Sequence, residues 1–185
     1  MHQEVREWDS YVKTILPDFF KGKTVLDVGA LDINGNNRGY FTDCKYTGID
    51  IGPGPNVDEV SICHKYDKPN SSFEVVMSTD SLEHDIYWGL TLKKMYDLTK
   101  PGGLMLFTCA TTGRSEHGTV KYDPAASPHT LKIDQWSSYY SNLTEQNIRS
   151  ALPVDTAFYR YEFSVIVGSL KDWGKDLRFW GIKPI

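Results

Sequence analysis

Val25-Leu26-Asp27-Val28-Gly29-Ala30-Leu31-Asp32-Ile33-Asn34-Gly35-Asn36 is an apolar burst that stops at a glycine loop. Fifteen residues beyond Gly35 a second burst, Tyr46-Thr47-Gly48-Ile49-Asp50-Ile51, stops at an acid. Strand, glycine loop, strand, acid is the order in which an open parallel sheet presents an adenosine-type ligand at the carboxyl ends of its first two strands. The pair therefore predicts an α/β sheet that holds a nucleotide-like cofactor.

Working outward, residues 24–29, 46–51, 57–60, 73–78 and 103–109 read as five short strands. Their near-continuous apolar runs, rather than strict alternation, are expected of strands buried on both faces by helices. Ahead of them, Val5, Trp8, Val12, Ile15 and Leu16 are spaced as one face of a helix that Pro17 limits. Between the fourth and fifth strands, Ile86, Leu90, Leu92, Met95 and Leu98 carry helical spacing, and Lys100-Pro101-Gly102-Gly103 turns the chain back. From Thr111 to Ile133 the residues change to Gly, Ser, Pro, His and charge, a stretch too long for an ordinary connector. Helical pieces are expected at 135–140 and 144–152, the second with a capped start at Thr144-Glu145-Gln146-Asn147. Aromatic-rich strands at 158–163 and 177–182 complete the chain.

The 185 residues suit one domain, 1–185, with an N-terminal helical segment at 1–20. A net charge of -4 gives no general reason to expect a nucleic-acid or anionic-membrane partner. No apolar run approaches the length of a membrane span and no secretory leader is recognisable, so a cytoplasmic protein is the expectation. Cys44, Cys63 and Cys109 are odd in number and widely spaced, which argues against a disulfide framework or a Cys-x-x-Cys metal site. They read as small buried residues.

Four segments in this order resemble class I S-adenosylmethionine-dependent methyltransferases: Val25 to Gly35, Gly48-Ile49-Asp50, Phe73 to Ser78 followed by Ser81-Leu82-Glu83-His84, and Leu98 to Gly103. The resemblance covers about residues 24–110, and the order and spacing of the pieces are more specific than any one piece. It implies a three-layer Rossmann-like fold whose seven-stranded sheet is mostly parallel with one antiparallel strand. It also implies S-adenosylmethionine as cofactor and S-adenosylhomocysteine as product. Asp50 would then accept hydrogen bonds from the two ribose hydroxyls, and Asp27, Ser78 and Thr79 would lie at the methionine end, where an ammonium and a sulfonium need negative potential. Gly29, Ala30, Asn34 and Gly35 form the close-approach loop. Two departures stand out: Leu31 occupies the place of the family's second glycine, and Ile62 that of the carboxylate that often holds adenine. Adenine is expected against Ile51, Ile62 and Cys63 instead.

The 111–133 loop follows the fifth strand and should overhang the cofactor's methyl, so it is the expected acceptor lid. His117 and His129 are its candidate bases, because an imidazole can accept a proton at neutral pH. Arg114 and Lys121 could grip an anionic acceptor group or be solvated, and Trp136, Tyr139 and Tyr140 could stack on an acceptor or fill the core. Trp8 and Tyr11 carry the same two readings. Glu83-His84-Asp85 could serve as metal ligands or a base, but adjacent helical residues diverge, and no metal is expected. With no appended RNA-binding module, Asn-Pro-Pro-Tyr motif or catalytic Pro-Cys, the acceptor is expected to be a small molecule or glycan methylated on oxygen, less readily on nitrogen. Two other functions remain open: a catalytically idle cofactor-binding module, and an NAD(P)-dependent oxidoreductase. The second lacks its Gly-x-Gly-x-x-Gly opening after Val28. Nothing in the chain bears on its oligomeric state.

Overall fold

A computed structural model describes residues 3–167 and 175–185. Its elements are α1 (Gln3–Ile15), β1 (Thr24–Val28), β2 (Lys45–Asp50), β3 (Glu59–Val60), β4 (Phe73–Thr79), α2 (Trp88–Leu98), β5 (Thr99–Ala110), α3 (Glu145–Ala151), α4 (Val154–Ala157), β6 (Arg160–Val167) and β7 (Lys175–Ile182). The strands form one sheet in the order β3-β2-β1-β4-β5-β7-β6. β1 to β5 pair in parallel, and β7 runs antiparallel to both of its neighbours.

Side-chain alternation along the strands explains the continuous apolar runs. Val25, Val75, Met77, Leu104 and Leu106 face one side, where Trp8, Val12 and Leu16 of the N-terminal segment cover them. Leu26, Val76, Met105 and Phe107 face the other, under Leu92, Met95 and Leu98 of α2 and Ile148 of α3. Both faces are dry, so a polar residue in the strand interior would lose water on either side. Each large side chain fully buried here contributes about 1.5–3 kcal/mol relative to exposure.

Several local expectations are corrected. Leu90 is on the outer face of α2 and exposed, because Thr91, Leu92, Met95 and Leu98 already fill the inner stripe. β5 begins at Thr99, which pairs with Phe73, and the register shifts before Leu104 pairs with Val75, so the Pro-Gly-Gly turn lies inside the strand as an irregularity. β3 is two exposed residues at the sheet edge and not a buried strand. Residues 134–138 form a turn and not a helix; the Trp136 and Ser137 amides both reach back to the Ile133 carbonyl, and Val120 is tied to Ser137. Cys63 and Cys109 are buried, whereas Cys44 is only half-buried. The cap on α3 is as expected, with Thr144 and Asn147 bonding reciprocally. Among the described residues no helix is long and apolar enough to cross a membrane.

Strand order reverses beside β1, where the chain leads outward through β2 to β3 and then returns to β4 on the other side of β1. Ligands of open α/β sheets bind at the carboxyl ends of the strands flanking such a point. Here those ends are Val28-Gly29, Asp50 and Thr79.

Candidate active site

A cavity of about 280 Å³ lies at that edge. Asp27, Gly29, Ala30, Asn34, Gly35, Asp50, Ile51, Ile62, Cys63 and Thr79 line it, as do His117 and His129. Ser78 does not; it is wholly buried on β4 opposite Val28, and its hydroxyl has no partner. Gly29 turns the chain at φ 75° and Gly35 at φ 121°, both in the range that favours glycine. A side chain on Gly29 would collide with Ser81. Leu31, in place of a second glycine, turns its side chain onto Gly54 and its amide, at 3.3 Å, to Asp50 Oδ2.

The methionine end was only partly legible beforehand. Asp27 is 2% exposed; its Oδ2 accepts the Tyr46 hydroxyl at 2.6 Å and its Oδ1 has no partner. Burial raises its carboxyl to about 6, against the lowering effects of the Tyr46 hydroxyl and the nearby Asn37 amide. Asn37, which closes the Asn-rich loop, donates to Thr79 Oγ1 at 3.0 Å while its own Oδ1 is orphaned. Asp9 of α1 is also buried with both oxygens unpartnered, and burial together with Asp27 and Asp80 raises it well above the usual carboxylate range. Unsatisfied buried acceptors are costly; Asp27 and Asn37 line the cavity and Asp9 does not, so the first two mark a place shaped for a cationic or hydrogen-bond-donating ligand. The motif readings missed Asn37 and Asp9. The polar run 34–37 was the only signal for one, and an acid within the apolar spacing of α1 the only signal for the other.

At the opposite end Asp50 is engaged by the lid. His129 Nδ1 lies 2.8 Å from Asp50 Oδ1, and its ring packs on Gly52. Of the two candidate bases, His129 therefore belongs to the Asp50 carboxylate, while His117 sits beyond the end of β4. There His117 meets His84 edge-on at 5.0 Å and Tyr140 at 4.9 Å. Burial lowers both imidazoles, His84 to about 3 with help from His117 and Arg114, so both are neutral at physiological pH. Glu83 and His84 lie in the short 3-10 turn Leu82–His84, and α2 starts only at Trp88. Burial, then the neighbouring Asp80, raises Glu83. Asp85 is committed to the start of α2, accepting the Tyr87 amide and the Thr91 hydroxyl.

The other lid residues have settled roles. Arg114 is buried and paired at 2.9 Å with Asp176 of β7, so it does not grip an acceptor. Lys121 is exposed over the Tyr122 ring. Trp136 lines the cavity, Tyr140 packs on the histidines and Tyr139 is half-buried. Trp8 is core, and Tyr11 is exposed with its hydroxyl on Glu162.

The family model described as a methyltransferase domain matches residues 1–147. The chain belongs to that family. Solved structures share this methyltransferase's fold at low identity. 1,6-Didemethyltoxoflavin-N1-methyltransferase of Burkholderia thailandensis, with 1,6-didemethyltoxoflavin and S-adenosylhomocysteine bound, is 16% identical with a TM-score of 0.64 over 99% of this chain and 79% of that one. The N-methyltransferase NodS of Bradyrhizobium japonicum is 13% identical, TM-score 0.62, over 98% and 97%. Phosphoethanolamine N-methyltransferase 2 of Haemonchus contortus, in complex with S-adenosyl-L-methionine, is 17% identical with a TM-score of 0.62. There 97% of this chain matches about half, 53%, of that one. No curated protein matches the chain in sequence. The chain is a methyltransferase by that family, and its seven-stranded sheet with one reversed strand is the fold it shares with solved methyltransferases that hold S-adenosylmethionine or S-adenosylhomocysteine.

Proposed function

We propose that this methyltransferase moves the methyl group to an oxygen of a small-molecule or glycan-type acceptor, with nitrogen as the less favoured atom. The observation that carries the preference is His117, which lines the cavity beyond β4 with Nδ1 at 3.0 Å from the Ser115 carbonyl oxygen, so that Nε2 is left to accept a proton. A hydroxyl arrives protonated and becomes a competent nucleophile when that proton is taken, which is what a neutral imidazole at the acceptor position can do. The catalytic assignment accordingly rests on His117, with His84 packed beside it, and His129 holds Asp50.

S-adenosylmethionine supplies, when bound, an electrophilic methyl on a sulfonium. The chain's residues would do the rest by binding and positioning. Asp50, through the oxygen capacity that Leu31, Gly52 and His129 leave it, would take the ribose hydroxyls. Asp27, Asn37 and Thr79 would hold the methionine ammonium and carboxylate end, with Asp9 and Ser78 completing the polar wall behind them. Ile51, Ile62 and Cys63 would pack against adenine. The 111–133 loop would cover the acceptor and exclude water.

A pH dependence follows from Asp27. Its raised carboxyl holds a proton that the unfolded chain has lost, so this group's stabilising contribution is present below about pH 4 and is lost as pH rises through about 6. Cofactor binding has the opposite sign, because an ammonium partner favours the ionised form. Affinity for S-adenosylhomocysteine should rise by up to about tenfold per unit as pH climbs to about 6, then level off, and Asp27→Asn should flatten the profile. Titration calorimetry across that range checks it; a flat wild-type profile removes Asp27 from the ammonium site.

The reaction itself is tested by incubating the protein and S-adenosylmethionine with panels of hydroxylated small molecules, sugar nucleotides and amines, and locating added methyl groups by mass spectrometry. Methylation of oxygen acceptors is expected. Transfer confined to amines, or to carbon, would overturn the choice of atom.

A further inference from the structure

Beyond the cofactor pocket, one cluster contains more ligating chemistry than proton transfer requires. We propose that Glu83, His84 and His117 form a binding site for a single divalent transition-metal ion, zinc foremost, with an open coordination position toward the acceptor. The proposal deepens the reading of the acceptor site given above and rests on it for what the open position receives.

One ligand atom from each of the three residues lies within 4.8 Å of the other two, and all three residues are buried. Zinc bonds of about 2.0–2.2 Å set tetrahedral ligands roughly 3.5 Å apart, so small side-chain rotations close the cluster. Each residue is also prepared at its far side. Glu83 Oε1 accepts the Ala110 amide at 3.1 Å, which fixes the carboxylate and leaves the buried Oε2 without a partner. His117 Nδ1 lies 3.0 Å from the Ser115 carbonyl oxygen. Only a protonated nitrogen can pair with a carbonyl, so Nδ1 carries the hydrogen and Nε2 presents its lone pair. That arrangement, with the second ring nitrogen donating to a backbone carbonyl, is how metal-bound histidines are held. His84 Nδ1 is buried with no hydrogen bond, a costly condition that a ligand on the ring would relieve.

Two histidines and one carboxylate make a three-ligand set, which is the composition of sites that keep a position open for chemistry. His84 and His117 line the cavity and Glu83 does not, so the open position faces the acceptor. A hydroxyl bound there would release its proton to solvent more readily, because the cation stabilises the alkoxide or phenolate left behind, and with the ion bound His117 would serve as its ligand in place of acting as the base. The ion would also tie the lid, through His117, to the turn after β4. The expectation of no metal assumed that Glu83 and His84 diverge on a helix; in the turn they share one cluster.

The test uses the metal-stripped protein dialysed against zinc, with bound metal counted by mass spectrometry and S-adenosylhomocysteine affinity measured in parallel. One equivalent of zinc is expected. His84→Gln and His117→Gln should each lose more than the about 10–100-fold in metal affinity that removal of an outer hydrogen-bond partner costs, while still binding S-adenosylhomocysteine. Wild-type protein that retains no zinc, or two folded variants that retain as much as wild type, would overturn the site. X-ray absorption of the wild-type zinc complex decides the matter if the variants do not fold, since a coordination shell lacking two imidazoles excludes it. Zinc binding at this cluster without methyl transfer to any oxygen acceptor would refute the proposed function and leave the metal site standing.

Discussion

Asp50→Ala will bind S-adenosylhomocysteine at least about 100-fold more weakly than the wild-type chain. Hydrogen bonds to a charged group contribute about 1.5–3 kcal/mol each, and two ribose hydroxyls sharing one carboxylate bring the loss to roughly 3 kcal/mol, or two powers of ten in affinity. The same substitution frees His129 from its 2.8 Å contact, so His129→Ala is the necessary comparison. It removes only the imidazole, and affinity should stay within about tenfold, the effect of one ordinary hydrogen bond. Titration calorimetry on both variants separates the two contributions. Wild-type affinity in Asp50→Ala would withdraw the ribose assignment and with it the orientation of the cofactor in the cavity.

His117→Gln is expected to lower turnover by about 10²–10⁴-fold, the usual range for loss of a general acid–base group, with little change in S-adenosylhomocysteine affinity. Its ring packs against His84 and Tyr140 and away from Asp50, so damage should be confined to the acceptor half. Retained cofactor binding serves as the check on folding. Single-turnover methyl transfer at saturating cofactor measures the step directly. A rate equal to wild type would retire His117 and move the proton-accepting role to another group.

The sheet was legible because burial on two faces writes itself as apolar runs. Val25, Leu26 and Val28, like Leu104 to Phe107, divide between two cores, one on each side of the sheet. Ile49-Asp50 was equally plain, since the acid interrupts the run where the strand meets the cavity. Partnerships between distant residues were not legible. His129 finds Asp50 from 79 residues away, and Arg114 finds Asp176 from 62, so the sequence around each histidine or arginine could not distinguish a reactive group from a tethered one. At Glu83-His84 the expected helix is absent: the chain makes a 3-10 turn there, and α2 starts only at Trp88. Residues 135–140 carried helical spacing, yet the tie between Val120 and Ser137 holds that stretch in the lid as a turn.

The reversed strand has a consequence for how the chain folds as it is made. β6 precedes β7 in sequence but lies outside it, and among the described residues its only strand partner is β7. β1 to β5 can assemble as soon as residue 110 has emerged. Among the described residues β6 has no strand partner until residues 175–182 arrive; β7 then pairs with β6 and with the edge of β5, burying Leu177, Phe179 and Trp180. The β5–β7 ladder joins Ala110 to Asp176 and Leu104 to Ile182, a long-range pairing that forms more slowly than pairing between neighbours in sequence. The interval before it is when the open edge of β5 is exposed to pairing with another nascent chain.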